Sequence, residues 1–211
     1  MIHSSNGQSK SKHIKRPKFH VKQGNSNRCG ILAVAYLLKM AYPKSRFLAW
    51  RDVGNVLMTD QHSHWYKNTR KHGSSQYFSC NEIIEDVRRF ANHSKTIISK
   101  GAGSGASKHH CEDDVLPAPK RGTPYVPKHY YSWILKVPFC TLGDERLVSK
   151  FLKRRPIAFY YGGHTYTTFA IRPDGRYACL DNTTNTSKFK HSTIVKSIYW
   201  WNVMCIGACS H

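Results

Sequence analysis

Two residues six apart open the chemistry of this chain: Gln23 and Cys29, in the run Gln23-Gly24-Asn25-Ser26-Asn27-Arg28-Cys29-Gly30. The apolar stretch Ile31 to Met40 follows at once and predicts a buried helix. A cysteine at a helix start sits where the partial positive charge of the N-terminus favours a thiolate. A glutamine shortly upstream can fold back and offer its side-chain NH2 beside the sulfur, as an oxyanion donor must. Far downstream, Gly163-His164-Thr165-Tyr166 starts an apolar strand, and Asp181-Asn182 ends the next one.

Pro173-Asp174-Gly175 is a turn between those strands. In a hairpin, the start of the first strand lies beside the end of the second. Counting outward from the turn leaves about ten residues back to His164 and about six on to Asp181, so a loop or bulge has to absorb the difference. Asp181 would then orient the imidazole of His164, and the other ring nitrogen would deprotonate Cys29. Such a thiolate attacks a carbonyl; Gln23 and the Cys29 N–H hold the oxyanion, and His164 protonates the leaving amine. Each part alone has a plainer reading: Cys29 as a small buried hydrophobe, His164 as a strand residue bonded to a carbonyl, Asp181-Asn182 as a turn. Their order and local contexts together point to catalysis.

Gln23-x5-Cys29-Gly30 before an apolar helix resembles the papain-like cysteine peptidases. The segment Leu147 to Asn182 adds to this with a helix, Arg155-Pro156, an apolar strand, Gly-His, a second apolar strand, Asp-Gly, a third strand and Asp. It is similar to the bacteriocin-leader peptidases of that superfamily and to josephin-type deubiquitinases. The resemblance implies a papain-like α+β fold, with Cys29 as nucleophile, His164 as base, Asp181 as orienter and Gln23 as oxyanion donor. Papain has Asn as the third member, which keeps Asn182 as an alternative to Asp181. The aromatic residue that follows papain's cysteine is replaced here by Ile31 and Leu32. The implied activity is that of a thiol protease acting on a peptide or isopeptide bond in a protein or peptide substrate: its own polyprotein, a ubiquitin-like conjugate (as for a deubiquitinase) or a host protein. A compact peptidase with a polyanion-binding surface would suit a viral protein. Transglutaminases and arylamine N-acetyltransferases share the Cys, His, Asp order, so acyl transfer through the same site is an alternative.

The elements that must position these groups are helices first and an antiparallel sheet after, an α+β order. Ser79 to Glu82 has capping-box spacing ahead of an amphipathic helix running to about Ala91. Residues 60–78 are polar and read as a loop. Tyr130 to Val137 reads as a strand and Thr141 to Arg154 as a helix. Ile157–Tyr161, His164–Ile171 and Tyr177–Leu180 read as strands, and Ile194 to Ile206 closes the sheet. Residues 1–20 form a basic disordered arm, and 21–211 one domain with a flexible Gly/Ser- and Pro-rich insertion at about 101–129.

A chain of 211 residues with 40% hydrophobic content can bury one substantial core. Its 33 Lys and Arg against 12 Asp and Glu give a formal charge of +21, which implies affinity for nucleic acid or another polyanion. A non-catalytic, nucleic-acid-binding protein using aromatics such as Tyr130, Tyr131, Trp200 and Trp201 is therefore the other alternative. No apolar run approaches ~18 residues, so no membrane span is expected. The polar N-terminus has no secretory h-region, and the seven cysteines are irregularly spaced. Reduced thiols in the cytoplasm or nucleus are the expectation. His109-His110-Cys111-Glu112-Asp113-Asp114, the pair His62 and His64, and Cys205-x3-Cys209-x-His211 are ligand-rich. Structural zinc needs two matched pairs, and only Cys205 and Cys209 have the spacing, so no metal and no cofactor are expected.

Overall fold

A computed structural model describes residues 16–18, 28–43, 53, 57, 60–72, 77–92, 132–181 and 186–207. Most of the basic arm, the insertion at 101–129, Gln23, Asn182, the 109–114 run, Cys209 and His211 lie outside them.

The first helix, α1 (Cys29–Ala41), is apolar on all sides, and Gly30 through Leu38 are buried. A helix without a polar face has to be enclosed. One side of α1 meets α3 (Cys80–Asn92), and the other meets the sheet. Gly30 permits the first contact, since a Cβ there would stand 2.8 Å from the Cδ1 of Ile83. The capping box expected at Ser79 is present in modified form. Ser79 Oγ accepts from the Glu82 N–H at 3.2 Å, while the Glu82 carboxylate accepts from Phe78 N–H at 2.6 Å rather than from Ser79 itself.

Residues 60–78 are not a continuous loop: His64–His72 is helical, α2. Trp65 is its only buried residue, so no apolar stripe announces it. Its N-terminus is satisfied in two ways: locally, Ser63 Oγ accepts from the Tyr66 N–H at 3.0 Å, and a distant carboxylate supplies the rest. The carboxylate of Asp86, on α3, accepts from the N–H groups of His64 and Trp65 at 2.9 and 3.0 Å and from the Tyr77 hydroxyl at 2.9 Å. That is helix capping by a tertiary partner.

The sheet has six antiparallel strands: β1 (Phe139–Leu142), β2 (Ile157–Tyr161), β3 (His164–Ile171), β4 (Tyr177–Leu180), β5 (Thr186–Phe189) and β6 (Val203–Ile206), in the order β1-β6-β2-β3-β4-β5. One face carries Ala158 and Met204 and packs with α1 and α3. The other carries Ile157, Phe159, Val203 and Cys205 and is covered by α4 (Glu145–Leu152) and α5 (His191–Lys196). The fold is α+β, as expected. No described helix is long and apolar enough to cross a membrane.

The three central strands lie where the sequence puts them. The flanking segments differ. In place of a strand at 130–137 there is a 3-10 turn at Ser132–Lys136. The helix expected from Thr141 starts only at Glu145, because Asp144 caps it through the Leu147 N–H at 3.0 Å. Thr141 and Leu142 belong instead to β1, paired with Met204 and Val203. The span 194–206 divides into the end of α5, a 3-10 turn at Ser197–Tyr199 and β6. Strand β5 has no counterpart in the sequence-based reading. Cys140 is disulfide-bonded, its partner lying outside the described residues, which departs from the expectation of reduced thiols. Irregular spacing along the chain says nothing of the Cα proximity that decides pairing. Cys29, Cys80, Cys179 and Cys205 are free.

The Asp86 arrangement carries a prediction. Asp86→Ala strands the N–H groups of half-buried His64 and buried Trp65 and the Tyr77 hydroxyl, and should cost about 3 kcal/mol. A lower urea midpoint with unchanged slope is the expected readout; an unchanged midpoint would show that α2 does not depend on that carboxylate.

Candidate functional site

Cys29 is the first residue of α1, in the turn whose N–H groups have no intrahelical partner. His164 is the first residue of β3. It follows Gly162 and Gly163, whose φ values of 59° and 84° make a two-residue turn with Tyr161 opposite His164. Only residues free of a Cβ adopt that pair of conformations readily.

The pairing of β3 with β4 decides where Asp181 falls. Ile171 faces Tyr177 and Ala170 faces Ala178, but next Thr168 faces Cys179 and Thr167 faces Leu180. Phe169 is thus an extra residue, a bulge that takes up one residue of the difference in the count, the rest remaining as an offset along the strand. Continued past Leu180, the shifted pairing sets Asp181 across from Tyr166, on the same side of β3 as His164 and two residues along. His164 Nε2 stands 3.5 Å from Asp181 Oδ1. Both side chains are largely buried, at 13% and 4% exposure. The separation suits an ion pair with a protonated imidazole, and Nε2 makes no hydrogen bond at ideal geometry. With Nε2 turned to Asp181, Nδ1 is the nitrogen left for the sulfur.

Cys29 is partly exposed, and its thiol lies below its ordinary range. Burial by itself pushes it up. The hydrogen bond and charge of His164 reverse that, helped by the hydroxyl and the backbone N–H of Thr165. The Thr165 hydroxyl is buried and meets no partner at full hydrogen-bond geometry, so its dipole is free to serve a negative sulfur. The other free cysteines go the opposite way. Burial raises Cys80 and Cys179 far above the usual thiol range and Cys205 to about 11.

Three supporting residues carried no assignment in the sequence. Thr165 acts as just described. Ser187, on β5, donates its hydroxyl to Asp181 Oδ2 at 2.6 Å and holds the carboxylate from the side away from His164. The ring of Tyr166 meets the imidazole edge-on at 5.1 Å and packs on Phe159 and Phe189, fixing the ring plane of His164. Thr165 and Tyr166 follow His164 directly and were visible as strand neighbours. Ser187 offered no local signal, because it reaches Asp181 across a strand pair.

The structure therefore brings together Cys29, His164 and Asp181. Gln23 and Asn182 lie outside the described residues. No group of three or more His, Cys, Asp or Glu among the described residues could hold a metal ion. His64 is engaged with Glu85 at 2.9 Å. The arrangement can ionise a thiol, hold a proton on an adjacent imidazole and stabilise that imidazolium with a buried carboxylate. Comparison of the sequence with protein-family models and with curated proteins finds no match.

Iodoacetamide labelling across pH, read at each cysteine by mass spectrometry, should modify Cys29 at pH values where Cys80, Cys179 and Cys205 stay inert. In His164→Ala the Cys29 profile should move to higher pH; no movement would show that the imidazole does not hold the thiolate.

Proposed function

We propose that the protein is a papain-like cysteine peptidase that hydrolyses a peptide or isopeptide bond. The observation that carries this reading is the lowered thiol of Cys29 at a helix N-terminus, beside a histidine that is itself backed by a buried carboxylate. A structural cysteine would need none of this. Cys80 and Cys179, buried and raised, show what that role looks like in the same fold.

In the proposed cycle the Cys29 thiolate attacks the carbonyl carbon, and the oxygen takes up the negative charge. The Cys29 backbone N–H donates to it, with Gln23 assigned as the second donor from its sequence position. His164 gives its proton to the leaving amine as the C–N bond breaks, which leaves a thioester on Cys29. His164, now neutral, takes a proton from water, the hydroxide oxygen bonds to the acyl carbon, and the C–S bond breaks to release the acid and restore the thiolate-imidazolium pair. Asp181 keeps the ring in the productive orientation throughout, and Ser187 keeps Asp181 in place. Polyprotein segments and ubiquitin-like conjugates are the substrate classes to try first.

The test is cleavage of a peptide library and of ubiquitin-like conjugates, with products identified by mass spectrometry. Cys29→Ala should fall to background, His164→Ala should lose about 10²–10⁴-fold, and Asp181→Asn should lose less, all with unchanged circular dichroism. Full turnover by Cys29→Ala would sink the mechanism. Transfer of the acyl group to an added amine, with no hydrolysis, would replace it with acyl transfer at the same site.

A further inference from the structure

On the sheet face covered by α4 and α5, a groove of about 710 Å³ runs between the two helices, and Cys29, His164 and Asp181 are not among its lining residues. Five cations line it: Arg146, Lys150, Lys153 and Arg154 from α4 and the turn after it, and Lys196 from the end of α5. All five are exposed, and no ion pair engages them among the described residues. Arg146 and Lys150 lie one turn apart on α4, and Lys153 and Arg154 follow in the turn that ends it. Ser149 and His191 bridge the two helices at 3.1 Å and set their spacing. The groove has a single acid, Glu145, and its carboxylate accepts from the Tyr199 hydroxyl at 2.6 Å. That bond brings Tyr199 to the rim. Tyr199 and the following Trp200 are 72% and 73% exposed, the most exposed large apolar side chains among the described residues.

We propose that this groove, with Tyr199 and Trp200 beside it, is a binding surface for single-stranded nucleic acid. A row of cations with no acid partners follows a phosphate backbone. Two adjacent exposed rings offer the π-faces on which unpaired bases stack, a contact available neither to a duplex, whose bases are already stacked, nor to an acidic peptide. The groove makes no use of Cys29, so binding stands or falls independently of peptidase activity.

The test uses the full chain and fluorescence anisotropy with labelled 20-mers of oligo-U and oligo-dT over a salt series. Replacing Lys150, Lys153 and Arg154 together by Gln should weaken binding at least tenfold and reduce the slope of log affinity against log salt by about 2. Trp200→Ala should weaken binding about fivefold or more while leaving the affinity for heparin unchanged. Cys29→Ala should bind as the parent does, and the groove variants should keep the parent's Cys29 labelling profile and melting temperature. The proposal is overturned if the triple variant binds like the parent, which would place the affinity elsewhere on the basic chain. It is overturned equally if Trp200→Ala and Tyr199→Ala both retain full oligonucleotide affinity, or if an acidic peptide displaces the oligonucleotide at matched charge; either result would make the groove a general site for anions.

Discussion

The site depends on a single residue of excess in one strand. If the pairing set at the Pro173-Asp174-Gly175 turn ran on unbroken, Asp181 would fall across from Thr167. Thr167 lies opposite Ala158, on the face that packs with α1, whereas His164 shares the alternation of Tyr166. Because successive side chains alternate, that one-step difference would send the carboxylate to the wrong side of the sheet. The extra residue at Phe169 corrects the alternation. The Gly162-Gly163 turn fixes the other end of β3, so His164 cannot slide along the strand to find another partner.

Around that frame, the chemistry of Cys29 is a contest between burial and stabilisation of charge. Burial alone would make its thiol resemble those of Cys80 and Cys179. Its place at the open end of α1, within reach of His164 and Thr165, reverses the outcome. That place is in turn held by packing. Gly30 lets Ile83 close on the first turn of α1, and α3 carries the Asp86 carboxylate that anchors α2. The helical layer is thus tied together by polar contacts far apart in sequence, while the apolar flank of α1 rests on the sheet.

What could be read in the sequence was whatever has a local cause. Cys29 before an all-apolar run, the double glycine before His164, and the Asp-Gly turn each act within a few residues, and the elements they define lie where expected. The need for a loop or bulge followed from counting, although which of the two it would be, and at which residue, did not. Features built from distant contacts were hidden. Beyond its local Ser63 cap, helix α2 has its first two N–H groups held by a carboxylate more than twenty residues away, β1 takes its strand character from pairing with β6, and Ser187 meets Asp181 only because β5 lies beside β4. In Thr141 to Arg154, the apolar residues of a strand end and a helix ran together into one apparent helix, and only the Asp144 cap separates them.

Strand β5 is the outermost of the sheet on that side, and its residues alternate between exposed and half-buried. Outer strands with little buried surface open at lower free energy than the body of a fold. Since the Asp181 carboxylate is held in place by Ser187 on this strand, the order of the site is tied to the least protected margin of the sheet. On warming, then, the order of the site would fade before the core melts. The order of that carboxylate is then limited by fraying of β5, three strands from β2 and four from β6, rather than by the stability of the domain around those two strands.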